Sequence, residues 1–239
     1  MSDPPEKHFT MIEPGASSFL LTQRTNLQTA LLCSGVVGAV LFTTVYFCFS
    51  VISPNYYMIH ESISRLQLQP HGWIQSLNYI VSGVLICTFA VALRKELVSG
   101  FGSILVPFFH LLTGIGSIVM GLCLDPQVQL YTGGLIFFSL ITSLLLLTRR
   151  FSSDPQWHGW TGYTIVTVLL MILLGILFIY SAKEERGLAG VFERLIVVAR
   201  LVWLFFFTAR LLGGRSIAQV IAADTKSIAA ESSKFTGSV

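Results

Sequence analysis

The stretch GVFERLIVVARLVWLFFFTARLL, residues 190–212, decides how the rest of the chain is read. It is long enough to cross a bilayer, yet it carries Glu193, Arg194 and Arg200. At a rise of about 1.5 Å per residue, Arg200 lies roughly 13 Å beyond Val191, well inside a hydrocarbon core about 30 Å thick. A charge at that depth costs about 3 kcal/mol or more unless it is paired or wet. The other helices must therefore bring Arg200 a partner, a water-filled cavity or a ligand.

Composition places the whole chain in the same class. Of 239 residues, 53% are hydrophobic and only 11% charged, where a soluble domain carries about 25% charged residues. The net charge is +3 and the basic residues are scattered, which excludes nucleic acid as a partner. The four cysteines, Cys33, Cys48, Cys87 and Cys123, all sit in apolar runs without Cys-x-x-Cys or Cys/His ligand spacing. A zinc site or a disulfide framework is not expected, although Cys48 and Cys123 share one end of the bundle.

Residues 1–26 are polar and lack the basic start, apolar middle and small-residue cleavage site of a signal peptide. They are expected to form a cytoplasmic tail. Six apolar runs follow, at about 27–52, 73–93, 104–124, 131–148, 161–182 and 191–212. Each is long enough for a transmembrane helix, so the fold class is all-α: a six-transmembrane-helix bundle. Ser34 and Gly38 in the first run, and Thr113, Ser117 and Gly121 in the third, are spaced for close helix contact. Pro107 starts or kinks the third span, and Asp125-Pro126 is expected to cap its end. His110 is the only ionisable residue in that span. The bland reading is a packed or hydrogen-bonded core histidine; the alternative is a ligand. Residues 213–239, polar and rich in small side chains, are expected to form a second cytoplasmic tail with some helical tendency.

The segment 53–72 is the longest loop between spans. Over 57–68 it is expected to form a short amphipathic helix, with Ile59, Ile63 and Leu66 on one side and His60, Glu61, Ser64 and Arg65 on the other. It either lies on the membrane surface, anchored by Tyr56 and Tyr57, or forms a lid whose polar face points down at the bundle.

Orientation follows from lysine and arginine counts. With the N-terminus inside, the inner segments hold Lys7, Arg24, Arg94, Lys95, Arg149, Arg150, Arg210, Arg215, Lys226 and Lys234; the outer loops hold Arg65, Lys183 and Arg186. That bias favours both termini cytoplasmic, in a multi-pass protein of the cell's inner (plasma) membrane. It also gathers His60, Glu61, Ser64, Asn78, Asp125, Glu193, Arg194 and Arg200 towards the outer face as candidate ligand-binding residues. Glu193 and Arg200 share a helix face seven residues apart, and Glu61 or Asp125 is placed to sit between or beside them. The set is either a structural charge network or an outward-opening pocket whose arginines suit the anionic part of a lipid headgroup or another small polar ligand.

Five motifs occur in order across the spans: His60-Glu61-Ser62-Ile63-Ser64-x-Leu66, Asn78 to Gly83, Leu124-Asp125-Pro126, Gly190-x-Phe192-Glu193-Arg194, and Trp203 to Arg210-Leu211. Their order and spacing over about 27–212 resemble the integral-membrane family catalogued as domain of unknown function 998. The resemblance implies a six-helix inner-membrane bundle of prokaryotes and brings no established activity. Members of that family often open the fourth helix with a Gly-x-x-His-like motif; here the residues are Tyr131-Thr132-Gly133-Gly134-Leu135-Ile136, with no histidine. That departure argues against metal or haem.

Chemistry narrows the functional classes. A haem between helices usually needs two facing axial ligands, and only His110 lies within a span. A zinc hydrolase needs about three converging ligands, and His60, Glu61, His71 and Asp125 have no such spacing. No metal and no cofactor is therefore expected. Ser64 with His60 one turn away is a conceivable nucleophile and base. A transporter would show inverted repeats or paired broken helices, and neither is evident. The leading expectation is non-enzymatic: a membrane protein binding a lipid or small polar ligand, or an accessory subunit, with membrane lipids and a homo-oligomer or membrane partner as its associates. The alternative is a membrane-embedded hydrolase or transferase acting on a lipid headgroup, with His60, Glu61 and Asp125 as acid/base groups and Arg194 and Arg200 holding the anion.

Overall fold

The computed structural model describes residues 26–97, 100–157, 159–184 and 187–236, with side chains described as far as Gly213 except at Gln156. The expected N-terminal tail, His158 and half of the 183–186 charged turn lie outside the described residues. Six α-helices carry the fold: α1 (Asn26–Ile52), α2 (Trp73–Glu96), α3 (Leu105–Leu122), α4 (Pro126–Ser152), α5 (Trp160–Ser181) and α6 (Ala189–Thr236). All six contain a window long and apolar enough to cross a membrane. Large apolar side chains cover the outside of the ring, among them Val166, Leu169, Leu173 and Ile176 on α5. In water such a surface would aggregate; against lipid it is the correct solvent match.

Each helix packs on its neighbour in sequence, and α1 closes against α6. The result is a ring in chain order, with alternating helix directions set by short connections. Small residues bring the inner walls together. The Ser34 hydroxyl donates to the Leu85 carbonyl on α2 at 3.0 Å, so a side chain substitutes for direct backbone contact between α1 and α2. Between α2 and α3 the backbones nearly touch: a Cβ added at Gly83 would lie 2.7 Å from the Gly114 carbonyl oxygen. Gly121 packs against α2 at Ser76 and Ile80, while Thr113 and Ser117 return their hydroxyls to the carbonyls of Phe109 and Thr113 on their own helix. Small side chains at such crossings let helices without a hydrophobic driving force gain dispersion contacts.

Several boundaries differ from the sequence-based expectation, for local reasons. Asp125 caps α4 and not the end of α3. Its backbone is extended, its carboxylate accepts from the N–H groups of Gln127 and Val128 at 2.9 and 3.0 Å, and Pro126 takes the first helical position. The fourth span therefore starts five residues earlier than the apolar run beginning at Tyr131. Pro107 lies in the first turn of α3, where its missing N–H has no intrahelical acceptor, so it starts the helix without kinking it. The backbone of α6 continues as one helix to Thr236, so the helical tendency expected beyond residue 213 is a direct extension of the last span. All four cysteines are free.

The 53–72 loop is not one amphipathic helix. Residues 57–60 form turns, Ser62 is extended, and a 3-10 helix runs Ile63–Leu68. With about three residues per turn, Ile63 and Leu66 eclipse each other and are both buried. Ile59 lies before the break at Ser62 and is 51% exposed, so it does not join them. Two apolar clusters result. Tyr46, Phe49, Tyr56, Ile63, Leu66, Tyr79 and Met120 fill the loop end of the bundle. Leu32, Phe89, Leu93, Val106, Leu144, Met171, Trp203 and Phe207, with their neighbours, fill the middle and the opposite end.

Candidate functional site

The charged residues of α6 fall into two environments. At the loop end, Glu193 accepts the Ile63 N–H at 2.7 Å. The neighbouring Arg194 turns to the other side of the loop. Its Nη1 lies 2.7 Å from the Met58 carbonyl oxygen, 3.2 Å from that of Glu61 and 2.7 Å from that of Gly190, one turn back on its own helix. Its Nη2 donates to the Tyr56 hydroxyl at 2.6 Å, and the guanidinium lies 5.7 Å from the ring centres of Tyr46 and Tyr56. Tyr56 passes its own proton to the carbonyls of Ser62 and Glu61, at 3.0 and 3.2 Å. Burial pushes the Tyr56 phenol up to about 12, against the opposing pull of the Arg194 charge.

Gly190 makes this docking possible. A Cβ there would fall on the carbonyl oxygens of Met58 and Glu61, so the loop backbone reaches α6 only because the position has no side chain. His60 adds a second tie, its Nδ1 lying 2.8 Å from the Gly187 carbonyl oxygen. The loop thus presents main-chain groups to the charged pair. Apart from the Tyr56 hydroxyl, its polar side chains look elsewhere: Glu61 accepts from the Tyr57 N–H at 3.0 Å and from Arg65 at 3.3 Å, and Ser64 shares a hydrogen bond with Ser62 at 3.2 Å. Arg194 Nε is the one group of this cluster that is buried without a partner among the described residues.

Two further candidate residues serve the scaffold. Asn78 donates to the Phe42 carbonyl at 3.1 Å and to Gln75 at 3.3 Å, joining α2 to α1. Asp125 is occupied by the cap of α4. Neither Glu61 nor Asp125 reaches Arg200, which corrects the expectation of a carboxylate beside it. The acid/base set His60, Glu61 and Asp125 is not assembled either, since each bonds to a different group and none to another. Among the described residues no three His, Cys, Asp or Glu side chains are grouped as metal ligands would be.

Arg200 stands apart. It is partly buried and makes no hydrogen bond or ion pair with any described residue. Its side chain lines a cavity of about 10 Å³ on the axis of the ring, with walls from all six helices: Gly35, Ile86, Phe89, His110, Leu140, Leu144, Met171, Trp203 and Leu204 complete them. That volume is room for roughly one water. His110 is the other ionisable side chain in the wall. Its Nδ1 lies 3.0 Å from the Val106 carbonyl oxygen and 2.9 Å from Ser143 Oγ on α4, and its ring packs 5.4 Å from that of Phe89. Sequence alone weighed His110 mainly as a core residue and did not single out Ser143. The available signal was that His110 is the only ionisable group of its span, which marks an intramembrane residue as functional by default. At the other end of the bundle a surface hollow of about 290 Å³ is lined by Gly159, Trp160, Tyr163 and Phe206, without a charged side chain.

Six lipid-facing helices closed in a ring around a charged interior define a polytopic integral membrane protein. Its sequence matches the model of the family described as protein of unknown function (DUF998) over residues 36–210, and the chain belongs to that family. No curated protein and no solved structure matches it.

Proposed function

We propose that this protein is a non-enzymatic ligand-binding protein of the inner (plasma) membrane, and that its ligand carries an anionic group, a lipid headgroup or a small polar anion, held at Arg200. One observation carries the reading: Arg200 is a mid-span cation without a partner among the described residues, while the neighbouring charges of α6 are bonded to the loop. An arginine in a low-dielectric interior costs several kcal/mol when uncompensated, so it is kept where a counter-charge arrives from outside the chain. The guanidinium fork suits carboxylate, phosphate or a simple anion. The 53–72 loop, tied to α6 by backbone groups, serves in this reading as the cover of the bundle and not as the ligand's contact surface.

The test compares the wild-type protein with Arg200→Gln, both purified in a neutral detergent. Thermal stability is followed while phosphatidylglycerol, a zwitterionic phospholipid or sodium bromide is added. Stabilisation of the wild type by an anionic species, absent in Arg200→Gln, is the expected result. Equal responses of both proteins to every addition would overturn the reading.

A further inference from the structure

The wall of the Arg200 cavity has an uneven chemistry. Of its ten lining residues, two have ionisable side chains, Arg200 from α6 and His110 from α3, and the indole N–H of Trp203 is taken by Thr164 at 3.2 Å. Both carry positive charge or none, and among the described residues no carboxylate lines the cavity. The Nδ1 of His110 has a partner in either tautomer, donating to the Val106 carbonyl when protonated and accepting from the Ser143 hydroxyl when not, so Nε2 is the ring nitrogen without a partner among the described residues. The volume admits an occupant of about one water molecule, a size a halide approaches and a phosphate or headgroup exceeds unless the walls part.

We propose that this cavity takes up a small monoanion together with one proton, the anion resting against Arg200 and the proton on His110. This deepens the reading of Arg200 as the ligand's anchor and rests on it. The argument is one of charge. The described lining of the empty cavity holds the charge of Arg200 and no counter-charge, and an anion bound there becomes a negative neighbour for a proton on His110. Binding of the anion therefore raises the proton affinity of His110, and by reciprocity the proton raises the affinity for the anion.

The surroundings of His110 supply no competing acid. Arg200 faces it from α6, Ser143 from α4 and Phe89 from α2; Cys87 on α2 lies 3.9 Å from the carbonyl of the adjacent Leu111. The walls from α1 and α5 are Gly35 and Met171, which do not ionise. Anion and proton entering together leave the net charge of the site unchanged. The loaded and empty states then differ little in their response to a membrane potential, unlike a site that takes the anion alone.

The experiment is isothermal titration of sodium bromide into the full chain, in chloride-free detergent solution, with buffers of different ionisation enthalpy at about pH 5.5 and about pH 8. The heats give both the affinity and the protons taken up per bromide. The wild type is expected to take up about one proton per bromide over the range where His110 is neutral before binding, with affinity falling up to about tenfold per pH unit there. Arg200→Gln is expected to lose binding, and His110→Gln to bind without proton uptake or pH dependence. The proton count on the wild type needs no variant, so an ill-folded His110→Gln leaves the proposal testable. Bromide binding without proton uptake in the wild type, or uptake that persists in a folded His110→Gln, overturns the proposal while the anion site at Arg200 stands. Absence of bromide binding overturns it too; phosphatidylglycerol that stabilises the wild type and not Arg200→Gln then keeps the wider reading, and failure of both probes removes both.

Discussion

Arg194 and Arg200 lie on the same helix about 9 Å apart along its axis, and the chain treats them in opposite ways. Arg194 sits where α6 emerges under the loop and is held by three carbonyls and a phenol. Arg200 sits six residues further in, and no group among the described residues holds it. The difference lies in what each can reach. A loop can turn several main-chain carbonyls onto one guanidinium because its backbone is not consumed by helical hydrogen bonds, whereas a carbonyl in a helix wall has only its second lone pair to offer. A charge at the rim is thus compensated by the fold, and a charge between helices waits for a side chain, water or ligand.

That contrast is open to measurement, beginning with the largest change. Arg194→Met leaves the carbonyls of Met58 and Glu61 and the hydroxyl of Tyr56 without the guanidinium that binds them. Stability in detergent is expected to fall by about 3 kcal/mol, with the 53–72 loop becoming sensitive to protease. A loss below about 0.5 kcal/mol would mean that the loop is not fastened this way. Gly190→Ala forces the loop backbone off α6 and crowds Arg194 Nη1, which would lie 2.8 Å from the added Cβ, without removing a charge; a loss of roughly 2 kcal/mol with the same protease sensitivity is expected.

A pH scan probes the same end more gently. Because the Tyr56 phenol is raised to about 12 in the folded protein from an ordinary value of 10, its contribution is complete below about pH 10 and is lost as pH rises towards 12. Unfolding curves should show stability declining across that window, and Tyr56→Phe should flatten the decline. An equal slope in both proteins would assign the effect elsewhere.

The smaller effects belong to the middle of the bundle. Ser143→Ala removes one hydroxyl from His110 Nδ1, which keeps the Val106 carbonyl, so the cost is expected to stay at about 1 kcal/mol or less. Arg200→Leu, assayed without small anions or anionic lipid, is expected to leave stability unchanged or slightly raised, since an unpaired cation is replaced by a side chain that suits its apolar wall. A loss comparable to that of Arg194→Met would erase the distinction between the two arginines.

Much of this molecule was legible in its residues. Hydropathy and length located six spans to within a few residues at most ends, because a lipid-facing helix has to be apolar over a length that the bilayer dictates. The same reasoning marked Arg200 as a residue in need of a partner, since the cost of a charge at depth depends on position along the run and not on its neighbours. The start of α4 escaped that reading: Asp125-Pro126-Gln127 is too polar to count as apolar run, and a helix cap is a local hydrogen-bond pattern that hydropathy does not register. Tertiary structure alone decided which charges are satisfied. Apart from the Tyr56 hydroxyl and the Gly190 carbonyl, the partners of Glu193 and Arg194 are backbone groups of a loop some 130 residues away, and every residue type carries those groups, so no pattern of side chains announces them. The meeting of Arg200 with His110 was likewise invisible, because it depends on the rotation of α3 and α6 about their axes, and that rotation is set by the packing of small residues around the whole ring.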